Sequence, residues 1–417
     1  MKKKIAGLGL PVFFLFPWLG FLLSLFNLRS RLSGYIYVAF AMLFGYSISF
    51  SETSADSYRY AEAFIIFDNS LNYDIIFTMY KNGEIRDMYR LFLFYLTSLF
   101  SSNPKVLYAF VGLIYGTISY LSFKILLKEI KYNWNKYSLV LALLFYTYIS
   151  LSNINGFRFW TGGVLFFYAT YNFIVNKRSI YIIGVLATPL FHYGFLLMAP
   201  IVVLFKFFHK YLYGDKGVKS LLYYTFIIIF LGSYFLTTNI INLSFLFDTF
   251  QLSGEATKRI EFVNSDEVAT LVNNRVGNSL FLSIEQYFVH AIKIYVFIVI
   301  LFIYKQSRKY HFLNQDISSL ISFILFYFSI SFIASSFPSG ERFLNLGYLF
   351  LFVAMSKLYF INPTTKFKKL IFLGLPIYSF HIAFTNFAIP ILILSPVFWY
   401  GNLFWIIIDG LDFIFLK

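Results

Sequence analysis

The sequence predicts an all-α protein, a polytopic bundle of transmembrane helices, and three observations carry that expectation. Of 417 residues, 59% are hydrophobic and only 13% charged, where a soluble domain carries about a quarter charged residues. Mean hydropathy is +0.71. The apolar residues are gathered into long stretches separated by short basic loops. A water-soluble globule cannot hide that much apolar surface, but a bilayer solvates it. At ~20 apolar residues per span plus loops, the length accommodates about eleven or twelve spans, read as one membrane domain over 1–417.

The apolar stretches run approximately over 5–26, 34–50, 89–100, 106–123, 138–152, 159–175, 180–205, 221–238, 287–304, 317–337, 343–361, 370–394 and 398–416. Two polar segments interrupt them, 51–88 and 239–286. The first run follows Lys2–Lys4 as a signal peptide would. It is too long, holds Pro11 and Pro17, and lacks a small-x-small cleavage site, so it reads as a retained membrane segment. No internal repeat is visible.

Cytoplasmic loops are rich in Lys and Arg. Five basic loops are therefore placed inside: Lys124/Lys128/Lys131/Lys136, Lys177/Arg178, Lys206/Lys210/Lys216/Lys219, Lys305/Arg308/Lys309 and Lys357/Lys366/Lys368/Lys369. Segment 51–88 carries Glu52, Asp56, Glu62, Asp68, Asp74, Glu84 and Asp87, which outnumber its four basic residues even with Arg90 included. It is placed outside, as is 239–286.

That orientation leaves three stretches out of step. The 180–205 stretch has basic clusters on both sides. Twenty-six residues suit a hairpin of two arms of ~13 residues, each ~20 Å long, with its apex near Pro189, His192 and Gly194. Such a broken helix is tolerated where it is buried in protein or lines a polar cavity. The short 89–100 stretch fits a helix lying in the outer interface rather than a crossing. At the N-terminus, Lys2–Lys4 and Arg29/Arg31 both look cytoplasmic although one span separates them; Arg29/Arg31 are followed, and the side of the N-terminus stays open.

Composition excludes several classes. With no cysteine there are no disulfides, thiolate chemistry, iron–sulfur clusters or Cys-based zinc sites. The net charge of +15 matches cytoplasmic loops and anionic lipid headgroups, not nucleic acid. The 57 Phe and 34 Tyr are explained by codon bias and interfacial belts.

The candidate site residues fall on the outer side. Asp56, Tyr58, Arg59 and Tyr60 follow the second span; as interfacial residues they would sit at headgroup depth, and as a site they place a carboxylate and a guanidinium beside an outer-leaflet cavity. Asn155 and Arg158 form a short outer turn. Arg158 either snorkels to cap its helix or binds an anion, its fork matching phosphate oxygens. His192 is an intramembrane ionisable group, costly and usually functional, with no HExxH-type spacing to suggest a metal. Glu341 and Arg342 are adjacent opposite charges, a solvated pair or a site pair. Arg275 is the choice within 239–286. Arg59, Arg158, Arg275 and Arg342 thus collect on the face that ought to be Arg-poor, which points to a polyanion at the outer leaflet, with a diphosphate the natural size.

Asp56-x-Tyr58-x-Tyr60, the short helix from Met88 to Phe100, the Asn155 to Arg158 turn, His192 and Glu341-Arg342 come in an order that resembles the EpsG-like and Wzy-type polysaccharide polymerases. The likeness runs over roughly 50–350. It departs where Phe159, not Gln, follows Arg158, and where Asp87-Met88 replaces a Glu-Pro pair. The resemblance implies a GT-C-like bundle with outer interfacial helices in the bacterial cytoplasmic membrane, its active site facing outward. It implies glycosyl transfer without a cofactor or an assigned metal. An undecaprenyl-diphosphate-linked glycan donor and acceptor would be the substrates, and a chain-length regulator a further partner. Asp56 or Glu341, with His192 third, would be the base; Arg59, Tyr58, Tyr60, Asn155, Arg158, Arg275 and Arg342 would bind substrate. Another envelope transferase, a glycan ligase or an acyltransferase, is the first alternative. A lipid-linked oligosaccharide flippase or transporter is the second, set against the missing repeat.

Overall fold

Apolar runs of this length satisfy their backbone groups internally, and helices do so within one segment. The computed structural model describes residues 2–25, 27–50, 56–69, 78, 87–131, 133–214, 216–236, 280–309, 315–335 and 340–415. Among them every regular element is helical, with no strand and one isolated bridge, Ile48 to Leu394. The helices are α1 (Lys2–Leu15), α2 (Pro17–Leu25), α3 (Arg31–Tyr46), α4 (Asp56–Asn69), α5 (Met88–Ser98), α6 (Pro104–Glu129), α7 (Lys136–Tyr148) and α8 (Phe157–Ile174). They continue with α9 (Ile182–Phe191), α10 (Phe195–Gly214), α11 (Lys216–Leu236), α12 (Leu280–Lys309), α13 (Gln315–Ala334) and α14 (Glu341–Ile361). The chain closes with α15 (Thr365–Ala383), which passes through a π-turn into α16 (Ile389–Ile393), then α17 (Val397–Tyr400) and α18 (Leu403–Phe415). Arg275 and most of segment 239–286 lie outside the described residues.

The all-helical membrane class holds, with six helices long and apolar enough to cross a membrane among the described residues: Pro104–Glu129, Lys136–Ile154, Ile284–Ser307, Asp316–Ala334, Glu341–Ile361 and Thr365–Ile393. Eleven or twelve were expected. The difference has local causes. Proline has no N–H and opens a new helix at its first position, so Pro17 splits the first apolar run into helices of 14 and 9 residues. The 180–205 stretch is broken at His192–Gly194. Helix α8 is 18 residues long but carries Arg158, Thr161, Thr170 and Asn172.

Small residues set the closest helix approach. On α3 and α6, Ala41 and Gly45 face Gly112, Gly116 and Tyr108. A Cβ at Gly112 would drive into the Ala41 carbonyl oxygen, so only glycine lets these backbones meet, the close approach that membrane bundles use in place of a hydrophobic driving force. Around this pair a continuous aromatic and aliphatic core runs through α7, α8, α13 and α14.

The bundle has two chemically distinct ends. One gathers Glu129, Lys131, Lys136, Lys177, Lys206 and Lys357: Lys357 pairs with Glu129 at 3.3 Å and Lys177 with Asp316 at 3.7 Å. The other gathers the starts of α4, α5, α8 and α14. Two hairpins rise from the lysine end. In the first, α9 runs antiparallel to α8, with Gly184 against Ala169 and Phe191 against Gly162. Helix α10 then returns parallel to α8, with Phe195 against Phe159 and Phe166 and the Lys206 ammonium 5.2 Å from the Phe173 ring. Its apex, His192 to Gly194, reaches the first turns of α8. In the second, α1 and α2 turn back at Phe16–Pro17, with Gly20 packed on Phe13 and Trp18 and Phe21 on Phe40. This brings the start of α1 to the same end as Arg31, the side that the sequence left open.

Candidate functional site

The end opposite the lysines is built on a rigid turn. Between α7 and α8 the chain makes a 3-10 turn, Leu151–Ile154. Tyr115 donates to the Ser150 carbonyl at 2.9 Å, Asn153 Nδ2 donates to the Tyr115 hydroxyl at 3.2 Å and to the Tyr148 carbonyl at 3.0 Å, and Ser152 donates to the Thr385 carbonyl. The Tyr148 and Ser150 carbonyls are thereby satisfied by protein donors. Asn155 follows, and its Oδ1 accepts the Ser57 N–H at 3.0 Å. That bond caps the first turn of α4 from another element. Asn155 is thus spent on joining α4 to the turn, while Gly156 lets Asp56 Oδ2 approach the same turn.

Arg158, in the first turn of α8, is the centre of the polar cluster. Its Nη1 pairs with Asp87 Oδ2, its Nε donates to the Tyr60 hydroxyl at 2.8 Å, and its guanidinium lies 5.0 Å from the Tyr60 ring. Nη2 has no protein partner among the described residues. Asp87 is 2% exposed, and its second oxygen accepts the Tyr193 N–H at 3.3 Å. Asp87 therefore ties Arg158 to the apex of the α9–α10 hairpin. A charged pair this enclosed requires such full satisfaction. Arg90 stands one turn after Asp87; burial and then the neighbouring Arg158 hold its guanidinium below the ordinary arginine value, although Asp87 opposes this.

The hairpin apex carries His192. Its Nδ1 accepts the Gly194 N–H at 3.1 Å, which fixes Nε2 as the protonated, donating nitrogen. Its ring stacks on Tyr193 at 4.8 Å and meets Phe159 edge-on at 5.3 Å. On the other side of Phe159 the Arg342 guanidinium lies 5.4 Å from the ring. Next to it, Glu341 accepts from Lys293 Nζ at 2.7 Å. Lys293 comes from the middle of α12 and is 7% exposed. Asp56 pairs with Arg59 in an exposed i,i+3 bridge.

Asp56, Arg59, Tyr60, Asn155, Arg158, His192, Glu341 and Arg342 thus gather at one end, chained through Asp87 and Phe159. Tyr60, not Tyr58, reaches Arg158; Tyr58 is half-buried on α4. Arg275 lies outside the described residues. Sequence reasoning passed over Asp87, Arg90 and Lys293. For Lys293 a signal existed: a charge in the middle of an apolar stretch is costly and needs a partner. Asp87 was read only as one acid of segment 51–88 and as a departure from a motif; it stands at the N-cap of α5, but its side chain turns to Arg158 and Tyr193 instead of capping the helix.

No family model, no curated protein and no solved structure matches this chain. What fold and site define is a class: a polytopic helical membrane protein with a charged, arginine-bearing cluster assembled at one end of its bundle. No particular family is shown beyond that class.

Proposed function

We propose that this protein is a glycosyltransferase of the polysaccharide-polymerase type. It would join undecaprenyl-diphosphate-linked repeat units at the outer face of the bacterial cytoplasmic membrane, for O-antigen, capsule or exopolysaccharide. One observation carries the reading: Arg59, Arg90, Arg158 and Arg342 gather at the end of the bundle opposite the lysine-rich loops. By the positive-inside trend the lysine end is cytoplasmic, so the arginine end faces outward, where arginines have no topological reason to collect. Helix α5, with 11 residues and about 16 Å of length, is too short to span and suits the outer interface beside α4. The GT-C-like comparison belongs to the same reading.

The acceptor hydroxyl attacks the anomeric carbon of the donor, the bond from that carbon to the diphosphate oxygen breaks, and the diphosphate leaves with the electron pair. Charge developing on the leaving oxygen is met by Arg158, through the Nη2 that Asp87 and Tyr60 leave unoccupied, and by Arg342. The hydroxyl proton passes to a carboxylate. Glu341 suits that role, half-exposed and oriented by Lys293; Asp56 is the second choice. Asp87 is fully engaged and serves to position Arg158. His192, with Nδ1 already accepting, suits donation from Nε2 to a substrate oxygen rather than proton abstraction.

Deleting the gene and separating the surface polysaccharide on a gel tests this. The expected result is glycan capped with single repeat units. Polymer left unattached to its final acceptor would indicate a ligase, and absence of any outer glycan a flippase. Arg158→Ala and Arg342→Ala should each abolish chain extension at unchanged protein level. Arg158→Lys should rescue poorly, because the bidentate fork is lost.

A further inference from the structure

Arg90 is a charged side chain at this end that the mechanism above leaves unused. It stands in the first turn of α5, three residues after Asp87, which is the N-cap of that helix. Asp87 has nothing left to give it: one carboxylate oxygen goes to Arg158, the other to the Tyr193 N–H. The Tyr60 hydroxyl accepts from Arg158 as well. Arg90 Nε is enclosed by protein and, among the described residues, has no hydrogen-bond partner. Two guanidinium groups therefore depend on one carboxylate, which pairs directly with only one of them. Enclosed charged donors are ordinarily paired, and like charges held together raise each other's cost. An acceptor supplied from outside the chain would complete the arrangement.

The geometry points to an anion site formed by Arg90 and Arg158 that takes a phosphate group, with Arg90 a direct ligand rather than a structural residue. The guanidinium fork matches two oxygens of one phosphate. Arg90 and Arg158 both act on the Asp87 carboxylate, Arg158 by direct pairing and Arg90 from the first turn of α5. Resting on the reading in the preceding subsection for its lipid, the assignment names the carrier's diphosphate as the natural ligand. It also explains why Asp87 is buried: one carboxylate sets the spacing of two arginines without cancelling both.

The test uses the full chain, purified in detergent, with thermal unfolding and direct titration as readouts. The probes are inorganic pyrophosphate, undecaprenyl diphosphate and phosphatidylglycerol. Pyrophosphate and undecaprenyl diphosphate should each raise the melting temperature saturably. Arg90→Gln should weaken both by about tenfold or more, the scale of one lost charge-assisted hydrogen bond, and phosphatidylglycerol should not compete. Wild-type affinity in Arg90→Gln, the lack of any pyrophosphate effect on the wild type, or equal competition by phosphatidylglycerol would each overturn the assignment. If Arg90→Gln does not fold, Arg90→Lys reports instead, since it keeps the charge and loses the fork: several-fold weaker binding supports the site, and unchanged binding removes it. The two readings fail separately. Pyrophosphate binding that depends on Arg90, in a protein whose deletion leaves glycan chains at full length, keeps the anion site and discards the polymerase. Shortened chains with no anion binding do the reverse.

Discussion

The two ends of this bundle use the same charged residue types to different effect. At the lysine end the acids are answered: Glu129 accepts from Tyr171 at 2.9 Å and pairs with Lys357, and Asp316 pairs with Lys177. A cavity of about 220 Å3 lies among Glu129, Lys131, Asp316 and Lys357. At the other end arginines join Lys293, Asp87 is shared between Arg158 and the Tyr193 N–H, and among the described residues donors such as Arg158 Nη2 and Arg90 Nε have no protein acceptor. Lysine is a compact, strongly hydrated charge that serves to anchor a loop at the headgroups. Arginine is a weakly hydrated fork that recognises planar or tetrahedral anions. The contrast teaches that net charge alone, +15 over the chain, says little; the type of cation and the completeness of its pairing are what distinguish the two ends.

The sharpest way to break the comparison is to test which end faces which side. The chain has no cysteine, so single cysteines can be introduced without background. In intact cells an impermeant maleimide should label Ser102→Cys, beside the start of α6, and should label Lys128→Cys only after permeabilisation. The effect is all or none, and the opposite pattern would invert the assignment of both ends.

Next in size is the Asp87–Arg158 pair. Asp87→Ala leaves an enclosed guanidinium without its counter-charge and frees the hairpin apex at Tyr193. A loss of about 3 kcal/mol in stability is expected, read as a lower melting temperature, together with loss of chain extension. The double variant with Arg158→Ala should be more stable than the sum of the two single losses predicts, because the unpaired charge is gone. Strict additivity would mean that the pair is not coupled.

These two tests also mark how far the sequence could be read. The helical class and the separation of basic loops from the arginine set followed from composition and from the spacing of Lys and Arg. The broken stretch 180–205 was flagged by basic residues on both flanks, since charge at both ends of a short apolar run is a one-dimensional signal. The Asp87–Arg158 contact was not readable, because its partners are 71 positions apart and neither stands in a repeating pattern. The structural part played by Asn155 was hidden for a related reason: its Oδ1 accepts the N–H of Ser57, 98 positions earlier in the chain. Among the described residues, six helices are long and apolar enough to span, and Pro17 and the His192–Gly194 break cut two apolar runs whose hydropathy alone reads as continuous.

A smaller effect is expected at the lysine end. Lys357→Ala removes one partner of Glu129 but leaves the Tyr171 hydroxyl in place, so about 1 kcal/mol of stability should go. Chain extension should stay within twofold of wild type once protein levels are matched. A loss as deep as that of Arg342→Ala would erase the functional contrast between the ends.

The smallest effect belongs to Arg59, and it tests the comparison most finely. Its pair with Asp56 is an exposed i,i+3 bridge with the arginine 71% exposed, the kind worth well under 1 kcal/mol. If Arg59 only decorates α4, Arg59→Ala should change neither melting temperature nor chain length. If it guides an incoming diphosphate toward Arg158, extension should fall about two- to fivefold, the rate equivalent of an exposed charge contact, with stability unchanged. That loss should deepen at low salt and shrink as salt is raised, because exposed charges are screened over about 10 Å at 0.1 M. Arg158, enclosed by Tyr60 and Asp87, should show far weaker salt dependence. We expect the second pattern, since Arg59 stands on the same helix as Tyr60 and beside the mouth of the cluster.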